Sequence, residues 1–227
     1  MFKIFINFKT YSQATGENAV KLAKICEGIG SLGGSGRVEI IPVVQAVDLF
    51  RITTEVKIPV WVQHLDPQLP GPFTGWENLE AIIEAGAAGT LLNHSEHQVS
   101  PGTIKQTLAR IRNSKLKIRN FQVMVCCKTL GQMERLVKLK PDFIAYEISE
   151  LIASNTSITD SNPKAIQHAV EICKGIPLIV GAGIHKAEDL VKAKKFGAKG
   201  VLISSAVVLA ENPKNKLLEL IKLLSVN

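Results

Sequence analysis

Short β-rich runs alternate with longer helical stretches from one end of this chain to the other, and few folds accept that order. Runs rich in β-branched and aromatic residues fall at residues 4–7, 38–43, 60–63, 89–92, 122–126, 143–146, 178–180 and 200–203. Helical patterns follow each of them, at residues 17–28, 44–54, 76–84, 101–113, 130–139, 162–173, 186–195 and 213–224. Asn162-Pro163 and Asn212-Pro213 each set a capping asparagine before a proline at the first helical position, where a missing N–H breaks no bond. In Ala187-Glu188-Asp189-Leu190-Val191-Lys192-Ala193 apolar and charged residues segregate at helical spacing, and Phe196-Gly197 ends the pattern. Leu178-Ile179-Val180 and Val201-Leu202-Ile203 are apolar without alternation, as parallel strands covered on both faces require. Eight such units in 227 residues, with no linker and no shift in composition, predict a single (β/α)8 barrel domain over residues 1–227. A doubly wound open sheet is the second choice. In both folds, ligands sit beyond the carboxyl ends of the strands.

Composition narrows the function classes. With 46% hydrophobic and 21% charged residues the chain can bury a sizeable core, which excludes a wholly disordered chain. A net charge of +7 suits nucleic acid, an anionic membrane surface or phosphorylated metabolites. Aromatics are only 5%, and the lysines and arginines are spread without a basic run, so no nucleic-acid partner is expected. The apolar stretch at residues 1–6 stops at Asn7, too short for a signal peptide, and no run reaches membrane-spanning length. Cys26, Cys126, Cys127 and Cys173 form no C-x-x-C pair. They read as reduced thiols of a cytoplasmic protein, with Cys126 and Cys127 on opposite faces of a strand.

The strand ends carry the candidate chemistry. After the first strand, Asn7-Phe8-Lys9 places a lysine able to reach over a barrel mouth; on this triplet alone a surface lysine is the better reading. After the fourth comes Asn93-His94-Ser95-Glu96-His97. His94 there suits acid–base work, neutral if a helix N-terminus lowers its pKa, and a structural histidine is the alternative. His94-x-x-His97 lacks cysteine partners and an H-E-x-x-H frame, so no metal is expected. After the sixth strand stands Glu147, a general base if water is excluded from it and otherwise a capping or surface glutamate. Residues 148–161 show no strong helix and make the longest loop, the usual form of a lid. Gly181-Ala182-Gly183-Ile184 follows the seventh strand and Ser204-Ser205-Ala206 the eighth. There small residues let backbone N–H groups approach a phosphate.

Taken in order, Asn7-Phe8-Lys9-Thr10-Tyr11, Gly71-Pro72-Phe73-Thr74-Gly75, Asn93-His94-Ser95-Glu96, Tyr146-Glu147, Gly181-Ala182-Gly183-Ile184 and Gly200-Val201-Leu202-Ile203-Ser204-Ser205 span all eight units. The set resembles the triosephosphate isomerase family, in its short archaeal form. The resemblance implies interconversion of dihydroxyacetone phosphate and glyceraldehyde 3-phosphate, without metal or organic cofactor. It implies Glu147 as the carbon base, His94 as the electrophile and Lys9 as the cation offsetting phosphate and enediolate charge. Asn7 joins the oxyanion site, and Glu96 orders Lys9. It further implies that Ser154, Asn155, Gly181, Ala182, Gly183, Ser204 and Ser205 hold substrate, and that Thr74 reaches a neighbouring subunit in a homodimer or homotetramer. The chain departs from the family pattern at three places. Ile148-Ser149 replaces a Pro-rich hinge, Ser154-Asn155-Thr156 a Gly-Thr-Gly tip, and Ser205-Ala206 a Ser-Gly pair. These changes predict a costlier loop closure and keep two alternatives in view: another phosphosugar barrel, or an isomerase-like protein of impaired activity.

Overall fold

The computed structural model describes residues 1–32, 38–114, 120–148 and 157–224. Its elements run β1 (Phe2–Asn7), α1 (Glu17–Leu32), β2 (Val38–Val44), α2 (Ala46–Thr53), β3 (Trp61–Val62), α3 (Leu79–Glu84), β4 (Gly89–Leu92), α4 (Pro101–Arg112), β5 (Gln122–Cys127), α5 (Leu130–Leu136), β6 (Phe143–Tyr146), α6 (Ile158–Ser161), α7 (Pro163–Cys173), β7 (Leu178–Gly181), α8 (Ala187–Lys195), β8 (Gly200–Ile203), α9 (Ser205–Val208) and α10 (Pro213–Ile221). All eight strands are parallel, and β1 pairs with both β2 and β8, which closes the barrel. A closed ring has no edge strand, so every strand is covered by a neighbour on each side.

Side chains alternate between two cores, as the two-residue period of a strand demands. Phe5, Ile41, Trp61, Met124, Phe143, Ile179 and Leu202 fill the barrel interior. Ile4, Ile40, Val123, Ile144, Leu178 and Val201 pack outward against the helices. Phe5, Trp61 and Phe143 meet edge to face at 4.9–5.9 Å between ring centres. Gly89 makes that possible: a Cβ there would lie 2.4 Å from the Trp61 ring and 2.6 Å from the Gln122 carbonyl oxygen. Cys126 joins the interior core and Cys127 the outer one, the opposite faces expected of adjacent strand residues.

Several boundaries depart from the sequence pattern, for local reasons. α3 starts at Leu79 rather than at residue 76, because Asp66 takes the Glu77 N–H on Oδ2 (2.9 Å) and gives its own N–H to the Glu77 carbonyl (2.9 Å). That clasp keeps Trp76 and Glu77 out of the helix, and Asn78 then caps it by accepting the Ala81 N–H at 2.9 Å. Residues 137–139 tighten into a 3-10 turn that ends at Lys140, whose φ is 52°. The long stretch expected to lack a helix contains α6, a single turn capped by Ser157. Serines 204 and 205 open another such turn, α9.

Candidate active site

The alternation that fills the interior also aims the strand ends. Continuing the inward parity of Phe143 and Ala145 by two residues puts Glu147 at the mouth, and continuing Ile179 puts Gly181 there. Glu147 is 5% exposed and donates its backbone N–H to the Cys127 carbonyl oxygen at 3.0 Å. Gly181 lies behind it rather than in the cleft: a Cβ at Gly181 would come within 2.8 Å of the Glu147 Cγ. Among the described residues, Glu147 Oε2 has no hydrogen-bond partner. It faces His94 Nε2 at 3.4 Å.

His94 follows Asn93, whose φ of 62° puts it in the left-handed region. Asn93 is held there from both sides, donating its amide to the Cys126 carbonyl oxygen (2.9 Å) and accepting the Val99 N–H (3.1 Å). The Glu96 N–H points at His94 Nδ1 from 3.3 Å, so a neutral ring accepts there and carries its proton on Nε2, toward Glu147. The expected lowering of the His94 pKa by a helix N-terminus is not what the structure shows. Residues 94–97 form a turn, closed by the His97 N–H on the His94 carbonyl at 2.9 Å, and α4 starts only at Pro101. Burial of the ring does favour the neutral form. The carboxylates of Glu147 and Glu96 outweigh it and raise the pKa above its ordinary value. His97 turns away and stacks on His64 at 4.4 Å, so the two histidines of the H-x-x-H string do not converge.

Lys9 also has left-handed backbone, φ 48°, a conformation that costs a non-glycine residue roughly 1–3 kcal/mol and needs external support. Its N–H is accepted by Asn7 Oδ1 at 3.0 Å, its carbonyl accepts the Gln63 amide at 3.0 Å, and its ammonium meets Glu96 Oε1 at 2.5 Å. Gln63 Nε2 also reaches Asn7 Oδ1 at 3.3 Å. That oxygen is thus taken by two donors, and Asn7 lines the cleft.

Ala182 and Gly183 opposite, at φ 71° and 68°, form a tight left-handed turn. Together with Ile184, Ser204 and Ser205 they line the same cleft as Asn7, Lys9, His94 and Glu147. The Ser204 hydroxyl oxygen is buried without a partner among the described residues. Glu96 stands one step outside the cleft, behind Lys9, on the wall of an adjoining cavity of about 460 Å³. Ser154 and Asn155, with the rest of the expected lid from residue 149 to 156, lie outside the described residues. Ile148, at its start, packs on the outer core.

Sequence reasoning gave no role in the site to Gln63, Asn93 or Cys126. Inward parity from Trp61 was a usable signal for Gln63. Cys126 lies beside Glu147, and burial, with that carboxylate's charge, pushes its thiol pKa well up, so it stays protonated.

Comparison with known proteins points one way. The family model described as Triosephosphate isomerase matches residues 2–224. Proteins named triosephosphate isomerase from Methanothermus fervidus, Methanosarcina acetivorans and Methanocaldococcus jannaschii are 39%, 37% and 37% identical to this chain. The alignments cover 96%, 97% and 96% of this chain and 96%, 97% and 98% of those relatives. With the family match running from β1 through α10 and the relatives aligned nearly end to end, the chain belongs to the triosephosphate isomerase family.

Proposed function

We propose that this chain interconverts dihydroxyacetone phosphate and D-glyceraldehyde 3-phosphate through an enediolate, with Glu147 as the base on carbon and His94 as the acid on oxygen. The observation that carries the reading is the pair itself: Glu147 Oε2 stands 3.4 Å from His94 Nε2, both side chains buried at the mouth of the barrel. Glu147 accepts a proton from the carbon next to the carbonyl. The released electron pair becomes the carbon–carbon double bond, and the carbonyl oxygen becomes an enediolate oxygen that accepts the Nε2 proton of His94. The ring then recovers a proton from the neighbouring hydroxyl, and Glu147 returns its proton to the adjacent carbon. Lys9 and the Asn7 amide offset the charge that develops on oxygen. Ala182, Gly183, Ser204 and Ser205 hold the phosphate through backbone N–H groups and hydroxyls.

A cytoplasmic location and a homo-oligomeric assembly belong to the same reading. Four buried free thiols favour a reducing compartment. Val47, Phe50, Leu69, Phe73 and Trp76 expose apolar side chains on α2 and on the segment before α3. Val47 lines the cavity behind Lys9, which a second copy's loop around Thr74 would fill.

A coupled assay with glyceraldehyde 3-phosphate tests the chemistry. Glu147→Asp withdraws the carboxylate by one methylene and is expected to lower turnover about 100-fold or more with an unchanged circular dichroism spectrum. An inactive parent, or near-parental turnover in the variant, contradicts the assignment.

A further inference from the structure

The turn that lines the cleft after β7 is held from behind by a carboxylate with no place in the reaction. Asp189, in the first turn of α8, is 3% exposed. Its Oδ2 accepts the backbone N–H groups of His185 (2.9 Å) and Lys186 (3.0 Å), the two residues that lead from the turn into the helix. Its Oδ1 accepts the hydroxyl of Thr159 at 3.1 Å, from a different segment of the chain. Thr159 is 1% exposed, so that bond is made away from water.

The direction of the protons along this network follows from its end. The carboxylate only accepts, so the Thr159 hydroxyl donates to it and in turn accepts from Ser157, whose hydroxyl oxygen lies 2.8 Å away. The Thr159 N–H closes the loop on the Ser157 oxygen at 3.1 Å. One residue on, the Ile158 N–H approaches the Ala182 carbonyl at 3.4 Å. The turn at residues 182–185 is therefore tied twice to residues 157–159. The turn carries two successive left-handed residues, Ala182 and Gly183.

We propose that Asp189 is a positioning residue for the phosphate cradle: through Thr159 and the N–H groups of His185 and Lys186 it sets where the backbone of Ala182 and Gly183 stands in the cleft. This rests on the reading of that turn as the cradle. A carboxylate that touches no substrate then governs how well the phosphate is held, and affects the proton transfers at Glu147 and His94 only indirectly.

Thr159→Val keeps the shape and both backbone N–H bonds of Asp189 but removes one of the two ties between the segments, leaving the Ile158–Ala182 backbone bond in place. It is expected to raise the competitive inhibition constant of inorganic phosphate, and KM for glyceraldehyde 3-phosphate, by about three- to tenfold, the factor carried by one buried hydrogen bond. Its kcat should change by less than about twofold, since the reacting groups are untouched. Thr159→Ser should restore both constants, and Asp189→Asn should move them further in the same direction as Thr159→Val. Parental constants in a folded Thr159→Val protein overturn the proposal, as does a loss of kcat in step with KM. Backbone amide shifts in the parent during a phosphate titration separate this failure from that of the underlying reading. If residues 182–185 and 204–205 do not respond to phosphate, the cradle assignment fails and takes the proposal with it.

Discussion

Three non-glycine residues at the mouth of this barrel, Lys9, Asn93 and Ala182, have left-handed backbone. Each is, or adjoins, a group to which the proposed chemistry gives a fixed place, and for Lys9 and Asn93 side-chain bonds that hold the conformation are visible. His94 shows how such a position sets ionisation as well as aim. Burial pulls its pKa down, but the facing carboxylates of Glu147 and Glu96 pull it up by more, leaving it above its ordinary value of ~6.5. A group whose pKa rises on folding adds stability while protonated. That contribution is complete below the ordinary value and is lost as pH climbs through the raised one. In a thermal scan series from roughly pH 5.5 to 8, the parent should lose melting temperature relative to His94→Asn as the pH rises. Parallel curves for the two proteins would mean that His94 is not paired as described.

At the scale of elements, short polar signals set the helix starts and packing sets the strands. Asn78, Ser100, Thr129, Asn162 and Asn212 each cap a helix by accepting a backbone N–H three residues on. The strands answer to volume instead. β4 begins with Gly89 because the Trp61 ring and the Gln122 carbonyl occupy the space a side chain would need. Gly89→Ala should therefore cost about 3 kcal/mol, the upper end for an overpacked core, because one obstacle is backbone and the other a rigid ring. Urea unfolding followed by fluorescence measures it, and a loss within experimental error would show that the interior has slack.

At the scale of the whole molecule, α2 and the residue 65–78 segment carry most of the exposed large apolar side chains among the described residues. Val47 is 79% and Phe50 65% exposed, and Phe73 and Trp76 stand about half exposed. A lone barrel gains nothing by showing these side chains to water, whereas a second copy would cover them and fill the cavity behind Lys9. Light scattering at low micromolar concentration should give a dimer or tetramer. Phe73→Arg should shift it toward monomer and lower turnover, since in the proposed assembly the loop that carries Phe73 fills the partner's cavity, which Lys9 and Glu96 line. A stable, fully active monomer of the parent chain would end the assembly reading.

Much of this architecture could be read before any coordinates. Apolar runs at the right spacing, Asn-Pro caps and the absence of a linker determined eight strand–helix units, because such signals act between residues close in the chain. The order of units made a barrel the economical closure, and the rule that ligands sit at strand carboxyl ends marked Lys9, His94, Glu147 and the turns after β7 and β8. Other features needed the ring to close. Gln63 supports Lys9 from 54 positions away, Asn93 reaches Cys126 across a strand pair, and Thr159 reaches Asp189 across 30 positions. The sign of the His94 shift depends on a carboxylate 53 residues later in the chain, and that same carboxylate fills the space a Cβ at Gly181 would need. Local propensity says nothing about such contacts, since a hydrogen bond or a charge acts over a few ångströms and only the closed barrel brings these groups that near.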